Sequence, residues 1–171
     1  MRFLLLIFVV ILTSCGKTKE ANISHNSDAS TYYFIRHAEK DRSNPDDKNP
    51  HLTDKGLQRA ENWSKILDSI KFDLIYSTDY NRTKETAKPT ALKNNIEITI
   101  YQPHPINAGA FLKNTNGKTV LIVGHSNTTP SFVNAILKKQ KYNIIEDTNN
   151  GNLYIISIIN GEISDRLLNF N

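Results

Sequence analysis

The sequence predicts an α/β protein: a three-layer α/β/α sandwich with a mainly parallel sheet and an antiparallel edge. Three observations carry this reading. Strand-like and helix-like patterns alternate in the order β-loop-α-β-α-β-α-β-α-β-β, the pattern of a sheet covered by helices. Thr119 to Val123 is a near-continuous apolar run, which suits a strand buried on both faces of a parallel sheet. Asn160-Gly161 separates two strand-like runs, the strongest short signal for a hairpin and therefore for antiparallel pairing.

Taken in order, Thr31 to Ile35 is rich in aromatic and β-branched residues and reads as the first strand. Arg36 to Asn49 is a charged loop closed by Pro50. A helix starts at Leu52-Thr53-Asp54-Lys55-Gly56, with Thr53 or Asp54 as N-cap, and Leu57, Ala60, Ser64 and Leu67, with Ile66 and Ile70 nearby, fall at helical spacing. Phe72 to Ser77 is a second strand. Tyr80 to Lys93 is a helix that Pro89 should kink or divide. Ile96 to Tyr101 alternates as a third strand, Pro103-His104-Pro105 marks a loop, and a short helix covers Ala108 to Lys113. After the apolar fourth strand and Gly124-His125-Ser126-Asn127, Pro130 to Lys138 reads as a helix with its proline in the first turn. Leu153 to Ile159 and Ile163 to Leu168 complete the hairpin.

The 171 residues suffice for one domain with a real core. Hydrophobic content of 39% and charged content of 22% describe a soluble globular protein, and the net charge of +4 comes from scattered Lys and Arg, which gives no basic stripe for nucleic acid. The N-terminus divides from the rest. Arg2, the apolar run Phe3 to Leu12 and small residues before Cys15 read as a signal peptide over residues 1–14, too short to span a bilayer. Leu12-Thr13-Ser14-Cys15 resembles a bacterial lipobox, which implies a lipid on Cys15 and a domain held at the bacterial cell envelope, outside the cytoplasm. Residues 15–30 read as the lipidated N-terminus and a polar tether, and residues 31–171 as the folded domain. Cys15 is the sole cysteine, so the domain must hold itself together without an internal disulfide.

Two strands end in a histidine loop, Arg36-His37 and Gly124-His125, and α/β folds bind ligands outside the C-terminal ends of their strands. Arg82 opens the helix after the second strand and can reach the same crevice, where a helix N-terminus also favours an anion. An arginine beside an imidazole suits capture of a phosphoryl group: the planar guanidinium holds it while the ring attacks. The five histidines show no metal-binding spacing, so neither metal nor other cofactor is expected.

Four blocks between Phe34 and Asn127 together resemble the histidine phosphatase superfamily, also called phosphoglycerate mutase-like. They are Arg36-His37-Ala38-Glu39, with Ala38 where the family has glycine; Leu52-Thr53-Asp54-Lys55-Gly56 through Gln58 to Ala60; Tyr76-Ser77 through Arg82 to Thr86-Ala87; and Val123-Gly124-His125-Ser126-Asn127. The resemblance implies His37 as the nucleophile that forms a phosphohistidine. It implies Arg36, Arg82 and His125 around the phosphoryl oxygens, with Ser126 and Asn127 adding hydrogen bonds from the loop. The neighbouring guanidinium charges are expected to hold His37 neutral. Family members that act on phosphate esters carry an acid after the third strand; Tyr101-Gln102-Pro103-His104-Pro105 has no carboxylate there, which leaves His104, Glu85 and Asp79 as candidates. The expectation is therefore an exported, metal-independent phosphatase acting on a phosphorylated small molecule or phosphohistidine. The alternative is a non-catalytic module that binds a phosphorylated ligand. A phosphoglycerate-type mutase is disfavoured by the short segment between Arg82 and His125.

Overall fold

The structure, a computed structural model, describes residues 29–171; the signal peptide, Cys15 and nearly all of the tether lie outside the described residues. Ten elements follow one another: β1 (Ser30–Arg36), α1 (Asp54–Ile66), β2 (Leu74–Ser77), α2 (Asn81–Asn94), β3 (Ile98–Ile100), α3 (Ala108–Asn114), β4 (Thr119–Gly124), α4 (Thr128–Leu137), β5 (Asn152–Ile159) and β6 (Glu162–Asn169). They form one six-stranded sheet in the order β3-β2-β4-β1-β5-β6. The first four are parallel neighbours and β5 and β6 are antiparallel, so the sheet is mixed as its sequence predicts. No helix among the described residues is long and apolar enough to cross a membrane.

Two-residue periodicity sorts the core into two layers. Tyr32, Phe34, Val120 and Ile122 face α3 and α4, packing on Phe132, Val133 and Ile136. Ile35, Leu121 and Val123 face α1 and α2, packing on Trp63, Leu67, Ala87 and Ala91. β4, buried on both faces, sits at the centre. The hairpin turns at Asn160 (φ 53°) and Gly161 (φ 83°), two consecutive left-handed residues, as a tight turn between right-twisted strands needs.

Three local expectations change. α1 buries Gly56, Ala60, Trp63 and Ser64, while Leu57 and Ile66 face outward, so the buried stripe is turned from the one marked by the aliphatic residues. Of the two outcomes expected at Pro89, division does not occur: α2 runs unbroken from Asn81 to Asn94. A proline inside a helix costs about 3 kcal/mol, and the helix is held across it by the burial of Thr86 and Ala87 on one side and Thr90 and Ala91 on the other. α4 starts two residues before Pro130, because the Asn127 side chain accepts a hydrogen bond from the Thr128 N–H (2.9 Å) and caps it.

Register fixes the site. Arg36 pairs with Gly124 and Ser77 with Val123, so β1, β4 and β2 end level and side by side. The His37 N–H donates to the Gly124 carbonyl at 2.9 Å, and the Thr78 N–H to that of Val123 at 3.4 Å. Two glycines permit close approach. A Cβ on Gly56 would stand 2.2 Å from the Glu39 carbonyl oxygen, and one on Gly124 2.7 Å from Thr129 Oγ1. The first lets α1 press against the loop that follows His37; the second lets α4 fold back onto the end of β4.

Candidate active site

The loops after β1, β2, β3 and β4, with the segment between α4 and β5, enclose a cleft of about 360 Å³ lined by Arg36, His37, Arg82, His104, His125, Ser126 and Asn127, together with Lys40, Arg42, Tyr80 and Asp147. Sequence-distant blocks thus converge. The rings of His37 and His125 stand edge to face with centroids 5.5 Å apart. His37 is 4% exposed. Its Nδ1 lies 2.7 Å from the Ala38 carbonyl oxygen, an acceptor only, so Nδ1 carries the proton and Nε2 keeps its lone pair. Burial is the first cause that pushes its pKa down, to about 3; His125 and the Arg36 and Arg82 guanidinium groups add to this, while the Ala38 hydrogen bond opposes it. The ring is therefore neutral at pH 7. The guanidinium groups lower it as the sequence predicts, but they come after desolvation. His125 is likewise held down to about 4, by burial first and then by Arg82, Arg36 and Lys40.

Arg82, in the first turn of α2, stacks on Tyr80 with its guanidinium carbon 4.3 Å from the ring centroid. Its Nε and Nη1 are buried and have no hydrogen-bond partner. Thr86, one turn later, fastens this helix to the nucleophile loop: its hydroxyl donates to the Arg82 carbonyl (2.7 Å) and accepts from the Ala38 N–H (2.9 Å). That explains physically why an arginine and a threonine stand four apart in this block.

Arg36 differs from the sequence expectation. It is 2% exposed, and most of its guanidinium is already engaged. Nη1 donates to the carbonyls of Glu146, Asp147 and Asn149 at 2.8, 3.2 and 3.0 Å, and Nη2 to Asp147 Oδ1 at 2.8 Å. Nε is buried without a partner, so the Nε–H, rather than the whole planar fork, is the part of Arg36 left for a ligand beside the cleft. The segment between α4 and β5 supplies these partners, and Asn150 Nδ2 donates to the His37 carbonyl at 2.8 Å. Asp147 also pairs with Arg42 at 2.9 Å, joining two loops across the mouth. Sequence reasoning missed residues 146–150; isolated Asp and Asn residues in a polar loop carry no periodic or spacing signal.

The acid candidates separate. His104 lines the cleft. Glu85 does not: its carboxylate accepts from the Leu52 N–H at 2.8 Å and pairs with His51, tying α2 to the start of α1. Asp79 pairs with Lys84 at 2.7 Å on the exposed surface. Asp147 is the carboxylate that does line the cleft, and the hydrogen bond from Arg36 is the first cause that holds its pKa below the ordinary value, favouring the ionised form. Ser126 and Asn127 lie at the cleft and the start of α4, although the Asn127 side-chain oxygen is used as a cap. Cys15 lies outside the described residues.

Both imidazoles make stability depend on pH. Each folded pKa lies below the unfolded value of 6.5, so between pH 6.5 and about 4 the unfolded chain binds protons that the folded chain refuses. Stability is full above 6.5 and falls as pH drops below it. From pH 7.5 to pH 5 we expect a loss of roughly 2 kcal/mol per imidazole, seen as a lower denaturation midpoint. An unchanged midpoint between these pH values contradicts the two depressed values.

The histidine phosphatase superfamily (branch 1) model matches residues 32–102, which include the first histidine block and Arg82. No curated protein is close enough in sequence to match. Solved structures share the fold at low identity. A phosphoserine phosphatase from Entamoeba histolytica is 18% identical, with a TM-score of 0.64 over 83% of this chain and 98% of that one. A putative phosphohistidine phosphatase from Agrobacterium tumefaciens is 19% identical, with a TM-score of 0.60 over 81% and 97%. A phosphoglycerate mutase from Bacillus anthracis is 15% identical, with a TM-score of 0.62 over 83% and 93%.

Proposed function

From the chain's place in the histidine phosphatase superfamily, carried by the match over residues 32–102 and the shared fold, we propose that it is a phosphatase whose nucleophile is His37. Its substrate is a phosphorylated small molecule or a phosphohistidine. One observation carries the reading most: a buried, neutral His37 with Nε2 free lines the same cleft as Arg82, which has two buried N–H groups without partners. Unpaired buried donors are costly, and an anion removes that cost.

The chemistry follows from these groups. Nε2 of His37 forms a bond to phosphorus as the bond to the leaving atom breaks, and the electron pair departs with the leaving group. Nδ1 keeps its hydrogen bond to Ala38, which steadies the positive charge that develops on the ring. Arg82, the Nε–H of Arg36 and His125 face the phosphoryl oxygens. Water then attacks the phosphohistidine, releases phosphate and restores the neutral ring. His104 is the one of the three acid candidates that lines the cleft, so it is the group to protonate a leaving oxygen.

Incubation of the full chain with an aryl phosphate tests this. We expect release of inorganic phosphate and acid-labile phosphate trapped on His37. The second reading, a binding module, is favoured by one fact: the carboxylate at the cleft, Asp147, is held ionised by Arg36. It predicts that phosphate raises the melting temperature while no phosphate is released. The proposal also includes export and a lipid on Cys15, supported by Arg2, the apolar run to Leu12 and Leu12-Thr13-Ser14-Cys15. Palmitate labelling in a bacterial host, lost in Cys15→Ser, is the expected result; equal labelling of both chains removes this part.

A further inference from the structure

Nε2 of His125 meets a buried chain of hydroxyls that the proposed chemistry has not used. Thr78 follows directly on β2 and Thr83 sits in the first turn of α2; both are 0% exposed. Thr78 Oγ1 lies 2.9 Å from His125 Nε2 and 3.0 Å from Thr83 Oγ1. Thr83 Oγ1 in turn lies 2.9 Å from each of two carbonyl oxygens, those of Thr78 and Tyr80. No hydrogen bond joins His125 Nδ1 to a described residue, and the ring lines the cleft.

Protons can be placed along this chain in two ways. In one, His125 Nε2–H donates to Thr78, Thr78 to Thr83, and Thr83 to a backbone carbonyl; every hydrogen is used, and Nδ1 presents a lone pair. In the other, Thr83 keeps its hydrogen on a backbone carbonyl while Thr78 turns its hydroxyl to donate to Nε2, so the ring proton sits on Nδ1. A neutral imidazole carries one proton, so Nδ1 can offer a hydrogen to an anionic oxygen only in the second arrangement. That arrangement needs a donor at Nε2, and Thr78 is the group within reach.

Resting on the phosphatase reading above, we infer that Thr78, backed by Thr83, is a positioning residue that reverses its hydroxyl so that neutral His125 donates from Nδ1 to a phosphoryl oxygen. Threonine suits this role because one hydroxyl is both donor and acceptor and can rotate, whereas a carbonyl would pin the ring proton on Nε2. The β-branched side chain, packed to zero exposure, holds the oxygen in place.

The test compares the full wild-type chain with Thr78→Val and Thr78→Ser. With 15N-labelled histidine and orthovanadate at pH 7.5, long-range nitrogen–proton correlation should show the Nδ1–H tautomer of His125 in wild type and Thr78→Ser, and the Nε2–H tautomer in Thr78→Val. Loss of one donor to the transition state costs about 10²-fold or more in rate. Thr78→Val should therefore lose about that factor in kcat, with KM changed less than about threefold, while Thr78→Ser stays near wild type. The inference is overturned if vanadate-bound wild type carries Nε2–H, or if the valine variant keeps the wild-type tautomer and kcat. If Thr78→Val does not fold, the wild-type and serine spectra decide alone. If the wild type turns over no phosphate ester, the phosphatase reading fails, while the tautomer in the vanadate complex still decides the role of Thr78.

Discussion

Replacing His37 by alanine should reduce phosphate release by at least about 10⁴-fold, the scale on which a covalent nucleophile is lost. The loss should fall on kcat and not on binding. Arg82 and His125, which would hold the phosphoryl group, keep their contacts with Tyr80 and Thr78 when the His37 ring is removed. The backbone that carries residue 37 is fastened independently, by the His37 N–H to the Gly124 carbonyl and by Asn150 to the His37 carbonyl. Inorganic phosphate should thus still raise the melting temperature of His37→Ala, while acid-labile phosphate on the protein disappears. A variant that keeps more than about 1% of the wild-type rate would mean that a group other than the His37 nucleophile attacks phosphorus.

Arg82→Ala is the second large effect, and it should move activity and stability in opposite directions. Turnover should fall by about 10² to 10³-fold in kcat/KM, because a cation lining the cleft, with two unpartnered donors, disappears. Stability should hold or rise. In the free protein Nε and Nη1 are buried without partners, at a cost of about 1–3 kcal/mol each for such groups. The stacking on Tyr80 returns only about 0.5–1 kcal/mol. Burial lowers the pKa of the guanidinium, the direction expected of a cation held against its preference for water. Excess phosphate should reverse the ranking, stabilising the wild type more than the variant. The measurements are kcat/KM on an aryl phosphate and thermal melts with and without phosphate. Near-wild-type turnover in the variant, or a melting temperature several degrees lower, contradicts the role given to Arg82.

These two residues were visible in the sequence because each sits where a regular element ends. His37 follows an apolar strand, and Arg82 opens a helix with Thr86 and Ala87 at fixed spacing. His125 was visible for the same reason, after the apolar strand β4. Strand ends are legible because their periodicity stops abruptly. The acid candidates were not resolved that way. Glu85 shares α2 with Arg82, but its carboxylate is taken up by the Leu52 N–H and His51. Asp79 lies close in sequence to the same block and points to Lys84 at the surface.

What the sequence by itself determined is the order of elements, the mixed sheet and the identity of the residues at the strand ends. Those follow from local periodicity, turn chemistry and motif spacing, which need no knowledge of distant contacts. Only the tertiary structure decided how those residues are used. It set Arg36 among the carbonyls of Glu146, Asp147 and Asn149 and left its Nε without a partner. It buried His37 until desolvation, more than neighbouring charge, kept it neutral. It also put two threonine hydroxyls behind His125. Burial and hydrogen-bond partnership are properties of chain segments far apart in sequence, and they exist only once β1, β4 and β2 lie side by side with their ends level.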